Sequence, residues 1–340
     1  KSGTATVLDV ATGEILAMVS QPSYNPNNRE TMTEDSRRNR AVVDLMEPGS
    51  TSKTFTVTAA LESGLFNTSS IIDTSPGYIR VDRATIKDPA NYGPSTLARI
   101  IAKSSQVGAS KLALALGPTP ILSVHQRVGF GVNPGTGFPG ETTGVLPKRN
   151  RWAKSEIATL AYGYGYQVTP LQLAQAYLVY ANGGIRKPVS FLKVNGPVEG
   201  ERVIDAKIVA EVTEMLEGVV SAKMGGTGVR ANIPSYQVAG KSGTTWFYDV
   251  ARGGYDSKKY VSHFAGFVPV SDPRVVIVVS IQQPQGSEYG GGAVAAPVFS
   301  TIAAGAMRIL NVPPDQPLSL PALSDRAVSQ TAATGAGTRP

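Results

Sequence analysis

Strand-like alternation at both ends of this 340-residue chain, with helical patterning between, limits the folds open to it more than any other feature. Residues 4–10 read as a strand, Thr12-Gly13 as a turn and 14–20 as a second strand, which predicts an opening hairpin. Far along the chain, residues 236–240 run into Lys241-Ser242-Gly243-Thr244, and two more strands follow at 260–268 and 274–282. The last is a run of β-branched residues. Strands at the two ends with helices between them point to one sheet closed by the chain's own ends, an α+β arrangement.

The middle, about residues 65–200, is expected to form a mostly helical lobe beside that sheet. Glu47-Pro48-Gly49 breaks the chain before a helix over 50–63, stopped by Gly64. Residues 65–95 are irregular, with short strand-like pieces around 78–86. Ser95 is read as the cap of a helix to about 103, and a second helix is expected over 108–116. A further one, 121–128, would carry His125 at the surface or its boundary. Thr169-Pro170-Leu171-Gln172 is a helix start, with a Thr cap, Pro at the first position and Gln at the third. Asp205 caps the next helix, with Val209, Val212, Leu216 and Val219 as its apolar stripe. The folded domain is expected over 1–312, with 313–340, rich in Pro, Ala, Ser, Thr and Gly, as a disordered tail.

Composition removes several classes of function. Apolar residues at 41% and charged residues at 17% argue against global disorder. The absence of cysteine excludes disulfides, thiolate metal sites, iron–sulfur clusters and a Cys nucleophile. Two histidines, His125 and His263, nearly exclude a zinc site and leave two candidate bases for a Ser-His-Asp triad. No metal and no organic cofactor is expected. The +7 net charge is scattered, without a block of like charges, so the basic residues read as solvated surface rather than a nucleic-acid face. At most they attract anionic polymers. Residues 293–310 are long enough to span a membrane but include Pro297, Ser300, Thr301 and Arg308, and are read as a buried C-terminal helix. The strand-like start without Met reads as an excised domain.

Three short motifs carry chemistry. Ser50-Thr51-Ser52-Lys53 puts a hydroxyl and an amine three residues apart on one helical face. The amine can activate the hydroxyl once burial or a second cation lowers its proton affinity. Ser190-Phe191-Leu192-Lys193 has the same spacing, but its strand-like alternation would send Ser and Lys to opposite faces. On a strand, Lys241 and Gly243 face one way, and Ser242 and Thr244 the other. Lys241 would be the nearby cation, and Gly243 would permit close approach of a helix or substrate. Ser242 and Thr244 would hold a substrate carboxylate, and the Thr244 and Ser50 N–H groups would form an oxyanion hole. Lys1-Ser2-Gly3-Thr4 repeats the motif at a frayed chain start and is discounted. Ser104-Ser105-Gln106 links two helices, where a hydroxyl and an amide can face the sheet across a cleft.

The order of the three motifs resembles that of penicillin-binding proteins and class A β-lactamases. Further segments carry the likeness to class B penicillin-binding proteins, and within them to the division-specific transpeptidases of Gram-negative bacteria. These are Met46-Glu47-Pro48-Gly49-Ser50-Thr51, Lys103-Ser104-Ser105-Gln106-Val107-Gly108, Gly137-Phe138-Pro139-Gly140-Glu141, Ala161-Tyr162-Gly163-Tyr164-Gly165 and Phe264-Ala265-Gly266-Phe267. The resemblance spans about residues 3–312 and implies a five-stranded antiparallel sheet flanked by helices. It implies that Ser50 attacks a D-Ala-D-Ala bond of a peptidoglycan stem peptide, that a second stem's amine resolves the acyl-enzyme, and that β-lactams acylate the same serine. It makes Lys53 the base and Ser104 the proton-relay hydroxyl, and has Tyr164, Tyr260 and Tyr289 line the cleft. It also implies a periplasmic location, an N-terminal membrane anchor and pedestal domain, and division-machinery partners including a glycan polymerase.

Some positions depart from that family's pattern. Gln106 stands where Asn is usual, one methylene longer, and Thr54 where Pro is usual. Thr245-Trp246 replaces Ala-Arg, turning a cationic contact into an apolar wall, and Gly290 replaces an aromatic beside Tyr289. These imply a divergent copy rather than the housekeeping enzyme, which loss of viability on deleting this gene alone would contradict. A serine β-lactamase is the alternative enzyme. It needs a deacylating Glu in a Glu-x-x-Leu-Asn loop, and Glu156-Ile157-Ala158-Thr159-Leu160 is one residue out of step and lacks the Asn. A non-catalytic β-lactam sensor is the alternative binding module. A Ser-His-Asp hydrolase using His263 lacks the Gly-x-Ser-x-Gly elbow around Ser50.

Overall fold

The computed structural model describes residues 1–196, 198–249 and 253–316. Strand β1 (Ser2–Asp9) turns at Thr12-Gly13, where Asp9 Oδ1 accepts from the Thr12 N–H at 2.8 Å, and returns as β2 (Ile15–Gln21). The remaining strands of the main sheet come from far along the chain: β3 (Ala239–Asp249), β4 (Gly254–Val268) and β5 (Val275–Gln282). The sheet order is β2-β1-β5-β4-β3, every pair antiparallel. β1 lies against β5 with Ser2 opposite Gln282 and Asp9 opposite Val275, so the two chain ends close one sheet as the sequence pattern requires.

Alternation decides which layer each strand residue serves. Val276 and Val278 of β5 join the core under the helical lobe, while Val275, Ile277 and Val279 join the core on the opposite face. All five are at most 2% exposed, so the sheet is covered on both sides. The helices longer than four residues are α1 (Lys53–Glu62), α2 (Leu97–Lys103), α3 (Gln106–Leu116), α4 (Pro118–Arg127), α5 (Lys154–Leu160), α6 (Pro170–Ala181), α7 (Ala206–Val220) and α8 (Ala296–Ile309). Every residue of α6 is buried, and it packs on β5 and β1. Thr169 caps α6: its Oγ1 accepts from the Gln172 N–H at 3.0 Å, and Gln172 Oε1 accepts from the Thr169 N–H at 3.0 Å.

On the far face, α8 buries Ala296, Phe299, Ala303 and Met307, one stripe at helical spacing. The stretch Gly291–Ile309 is long and apolar enough to cross a membrane, but here that stripe covers the sheet.

Several local readings change. Residues 50–52 belong to a 3-10 turn, Gly49–Ser52, that leads into α1. The cap of α2 is Thr96 rather than Ser95, and α3 begins at Gln106 rather than at 108. Residues 71–96 form two small antiparallel pairs, Ile71–Asp73 with Pro94–Thr96 and Tyr78–Val81 with Ala84–Lys87. His125 is not at the surface. It is fully buried against Phe55, Phe130 and Tyr166, because it falls on the inner face of α4 with Ile121 and Val124. Ser190 to Lys193 is not a strand. Ser190 makes a lone bridge to Glu14, and Leu192 is exposed. Most of the predicted tail, residues 317–340, lies outside the described residues.

Candidate active site

The 3-10 turn sets the first contact. At three residues per turn, Ser50 and Lys53 stand almost directly above one another. Lys53 Nζ lies 2.9 Å from Ser50 Oγ. The turn is pinned from both sides. Thr51 Oγ1 donates to the Pro48 carbonyl at 2.6 Å, and the Ser52 and Tyr166 hydroxyls are in contact. Thr54 shares a 2.9 Å hydrogen bond with the Tyr177 hydroxyl, and that hydroxyl also donates to the Thr51 carbonyl at 3.1 Å.

Two glycines let other segments close on this turn. A Cβ on Gly243 would lie 2.9 Å from the Pro48 carbonyl oxygen, so β3 approaches the turn backbone to backbone. A Cβ on Gly163, whose φ is +87°, would lie 2.2 Å from the Gly49 carbonyl oxygen. The Tyr162-Gly163-Tyr164-Gly165 segment therefore seats against the turn from the other side.

Ser104 ends α2 in the left-handed conformation, at φ 55° and ψ 40°. That kink, which separates α2 from α3, delivers its hydroxyl to both lysines. Ser104 Oγ lies 3.1 Å from Lys53 Nζ and 3.1 Å from Lys241 Nζ, and the Ser104 carbonyl accepts from Lys53 at 2.6 Å. Lys241 also donates to the Ser242 carbonyl at 2.9 Å. Both lysines are completely buried. Burial lowers the Lys53 pKa to about 7, against an opposing pull from Asp88. Burial, and then the charge of Lys53, push Lys241 well below the ordinary lysine range. Four residues from three distant parts of the sequence thus form one hydrogen-bonded chain, Ser50–Lys53–Ser104–Lys241.

The other predicted residues fall around this chain. Strand alternation does not hold the Ser242 hydroxyl away from Lys241, whose Nζ curls round to within 3.5 Å of Ser242 Oγ. Ser242 Oγ is 2.8 Å from Thr227 Oγ1, and Thr244 Oγ1 accepts from the Gly291 N–H at 2.9 Å. Gln106 is half-buried at the start of α3. Tyr260 and Tyr289 stack with ring centroids 3.9 Å apart. Trp246 stands about half exposed on β3, within 6.4 Å of the Tyr255 ring, and Tyr164 lies 5.8 Å from that ring.

Sequence reasoning missed Asp88, Thr227 and Tyr255. Asp88 accepts from Ser105 Oγ at 2.5 Å and from the Gln106 and Val107 N–H groups at 2.5 and 3.1 Å. It thereby caps α3 and holds the Ser104 kink. An Asp capping a helix from a remote hairpin leaves no local spacing to read. Neither histidine contacts Ser50 among the described residues. The His263 pKa is lowered to about 4, and burial is the main cause. Glu156, the displaced candidate for a deacylating base, pairs with Arg149 and accepts from the Ala153 N–H at 2.9 Å.

The model of the penicillin binding protein transpeptidase domain matches residues 3–304. The chain is 44% identical over 315 residues to the peptidoglycan D,D-transpeptidase FtsI of Escherichia coli K12, covering 93% of this chain and 53% of that protein. It is 42% identical over 325 residues to the probable peptidoglycan D,D-transpeptidase PbpC of Pseudomonas aeruginosa, covering 96% and 57%. The chain thus spans about half the length of these curated relatives. Among solved structures, the apo TP domain of Burkholderia pseudomallei penicillin-binding protein 3 superposes with a TM-score of 0.83 at 40% identity, covering 93% of this chain and 91% of that one.

Proposed function

The chain belongs to the penicillin-binding protein transpeptidase family, and from that premise we propose that it cross-links peptidoglycan stem peptides through an acyl-enzyme on Ser50. The observation that carries the proposal is the hydrogen-bonded chain Ser50–Lys53–Ser104–Lys241, whose two lysines are buried. The neutral Lys53 amine takes the Ser50 proton as the oxygen attacks the carbonyl of a D-Ala-D-Ala bond. Ser104, bridging both lysines, passes that proton to the departing amine of D-alanine. The amine of a second stem then attacks the acyl carbon, the bond to Ser50 Oγ breaks, and the amine's surplus proton returns to Ser50 by the same route. The Ser50 and Thr244 N–H groups serve the oxyanion, and Ser242 and Thr244, joined by Thr227, serve the substrate carboxylate. Tyr164, Trp246, Tyr260 and Tyr289 line the approach, and Gln106 offers its amide to the substrate backbone. β-Lactams acylate Ser50 in the same way. Placement at the periplasmic face of the inner membrane, a role in division and a glycan-polymerase partner belong to this proposal as what the family likeness implies.

The test is intact-protein mass after mixing with a penicillin, followed over hours beside Ser50→Ala. The expected result is a long-lived adduct of one drug mass that the variant does not form. An adduct that forms and disappears with drug hydrolysis would make the chain a β-lactamase, and no adduct in the parent would sink the reading.

A further inference from the structure

Residues 283–290 form a strap that joins the end of β5 to the short helix Gly291–Val294. The strap carries Tyr289, whose ring stacks on Tyr260 with the two planes 13° apart. Both ends of it are tied to the sheet. At one end the Gln283 N–H donates to the Tyr260 carbonyl at 2.7 Å. At the other the Ser262 hydroxyl donates to the Tyr289 carbonyl, and the Gly291 N–H donates to Thr244 Oγ1 at 2.9 Å. Gly291 and Gly292 then press into the body of the protein. A Cβ on Gly291 would run into the Gly243 and His263 carbonyls, and one on Gly292 into the Thr227 carbonyl.

The span between these ties has little to hold it. Residues 285–289 are exposed, and the Gln285 side chain donates back to the Gln283 carbonyl at 2.9 Å. Gly290 adds no side chain, and a Cβ there would meet nothing. Among the described residues, Glu288 is the one residue of 284–288 with a hydrogen bond to the rest of the protein, and its partner is Arg230. Arg230 Nη1 donates to Glu288 Oε2 at 2.6 Å and Nη2 to Oε1 at 2.8 Å, so fork meets carboxylate at two points. Arg230 Nη1 also donates to the Ala293 carbonyl at 3.1 Å, which sets the plane of the guanidinium. Both side chains are about half exposed. Exposed ion pairs ordinarily contribute little, and the two-point pair of Arg with a carboxylate is the exception.

Position gives this pair its consequence. Glu288 directly precedes Tyr289. Arg230 stands on the 3-10 turn Val229–Ala231, just after Thr227, whose hydroxyl meets Ser242. One ion pair therefore joins two segments that each deliver a side chain to the Ser242–Thr244 end of the site.

We propose that Arg230 and Glu288 are positioning residues, a clasp that holds the strap so that Tyr289 stays stacked on Tyr260 where the substrate or a penicillin docks. The inference deepens the transpeptidase reading and rests on it for the nature of the occupant. Neither residue hydrogen-bonds to Ser50, Lys53, Ser104 or Lys241 among the described residues, so the clasp acts on docking and leaves the proton relay alone.

The test is stopped-flow acylation by benzylpenicillin across drug concentration, which separates half-saturation from the limiting rate. Arg230→Ala and Glu288→Ala should each raise the half-saturating concentration about three- to fivefold, the upper range for an exposed pair, with the limiting rate unchanged. The double variant should lose no more than either single one, because each substitution opens the same clasp. In a Tyr289→Ala background neither substitution should add a further loss. Salt at about 1 M should weaken docking in the parent more than in Arg230→Ala, since it screens only a pair that exists. Half-saturation unchanged in both single variants would overturn the clasp. So would a loss that falls on the limiting rate, that adds up in the double variant, or that persists without the Tyr289 ring. Those failures remove this inference alone. A parent that takes up no penicillin removes the transpeptidase reading and this inference with it.

Discussion

Replacing Lys53 with Ala should slow acylation by penicillin by roughly 10²–10⁴-fold, the range for losing a positioned general base. The argument rests on where the amine sits. Lys53 is fully buried and 2.9 Å from the Ser50 hydroxyl, and burial holds its pKa at about 7. Only the neutral form can accept a proton. The acylation rate of the parent should therefore climb as pH rises from 6 to 8, with a midpoint near 7. The sign can be tested through Asp88, whose charge favours the ammonium form. Asp88→Asn removes that pull, so the Lys53 pKa falls and the rising limb moves to lower pH. Stopped-flow or quench measurements of penicillin acylation across pH, for the parent and both variants, supply the check. A limb that stays in place in Asp88→Asn, or a Lys53→Ala rate within tenfold of the parent, would remove Lys53 from the role of base.

Phe55→Ala should cost about 3–5 kcal/mol of folding stability, read from the shift in urea midpoint at an unchanged slope. Phe55 is fully buried two residues after Lys53. Its ring makes edge contacts with Phe130 at 5.1 Å, His125 at 5.8 Å and Tyr177 at 5.9 Å, drawing α4 and α6 onto α1. Folded domains keep only about 5–15 kcal/mol in total, so this one ring holds a large share. Phe55→Leu, which fills most of the space, should lose much less. A loss below about 1 kcal/mol in the alanine variant would show that α1 does not depend on this cluster.

The sheet was legible because its signal is local. Alternation in β1 and β2 and the β-branched run of β5 mark strands wherever they pair, and strands at both ends leave one economical way to pair them. Ser50, Lys53, Ser104 and Lys241 were legible through motif order, and the structure places them within hydrogen-bond reach. What escaped was decided by tertiary contact. His125 sits on a helix whose pattern allows either a buried or a boundary position, and only the Phe55 and Phe130 rings packed around it settle which. Asp88 acts on a helix that begins eighteen residues further on. Thr227 follows a helix as part of an ordinary Gly-Gly-Thr-Gly loop, and its meeting with Ser242 depends on how that loop folds back onto β3. The expected strand at Ser190 failed because alternation alone does not supply a partner edge.

The pairing of β1 with β5 also bears on how the molecule is made. Synthesis releases β1 well before its neighbour β5 and the β3 strand that carries Lys241, which emerge only after the whole helical lobe. Elements such as α1, α3 and α4 can pack on one another early, since their contacts are near in sequence. The first strand must wait, exposed along one edge, until residues 275–282 arrive to cover it. Ser50 and Lys53 acquire their second lysine only when β3 docks, so a nascent chain holds the nucleophile without the complete proton relay. Catalytic competence is therefore a late event in the life of each molecule, coupled to closure of the sheet and withheld from every shorter intermediate.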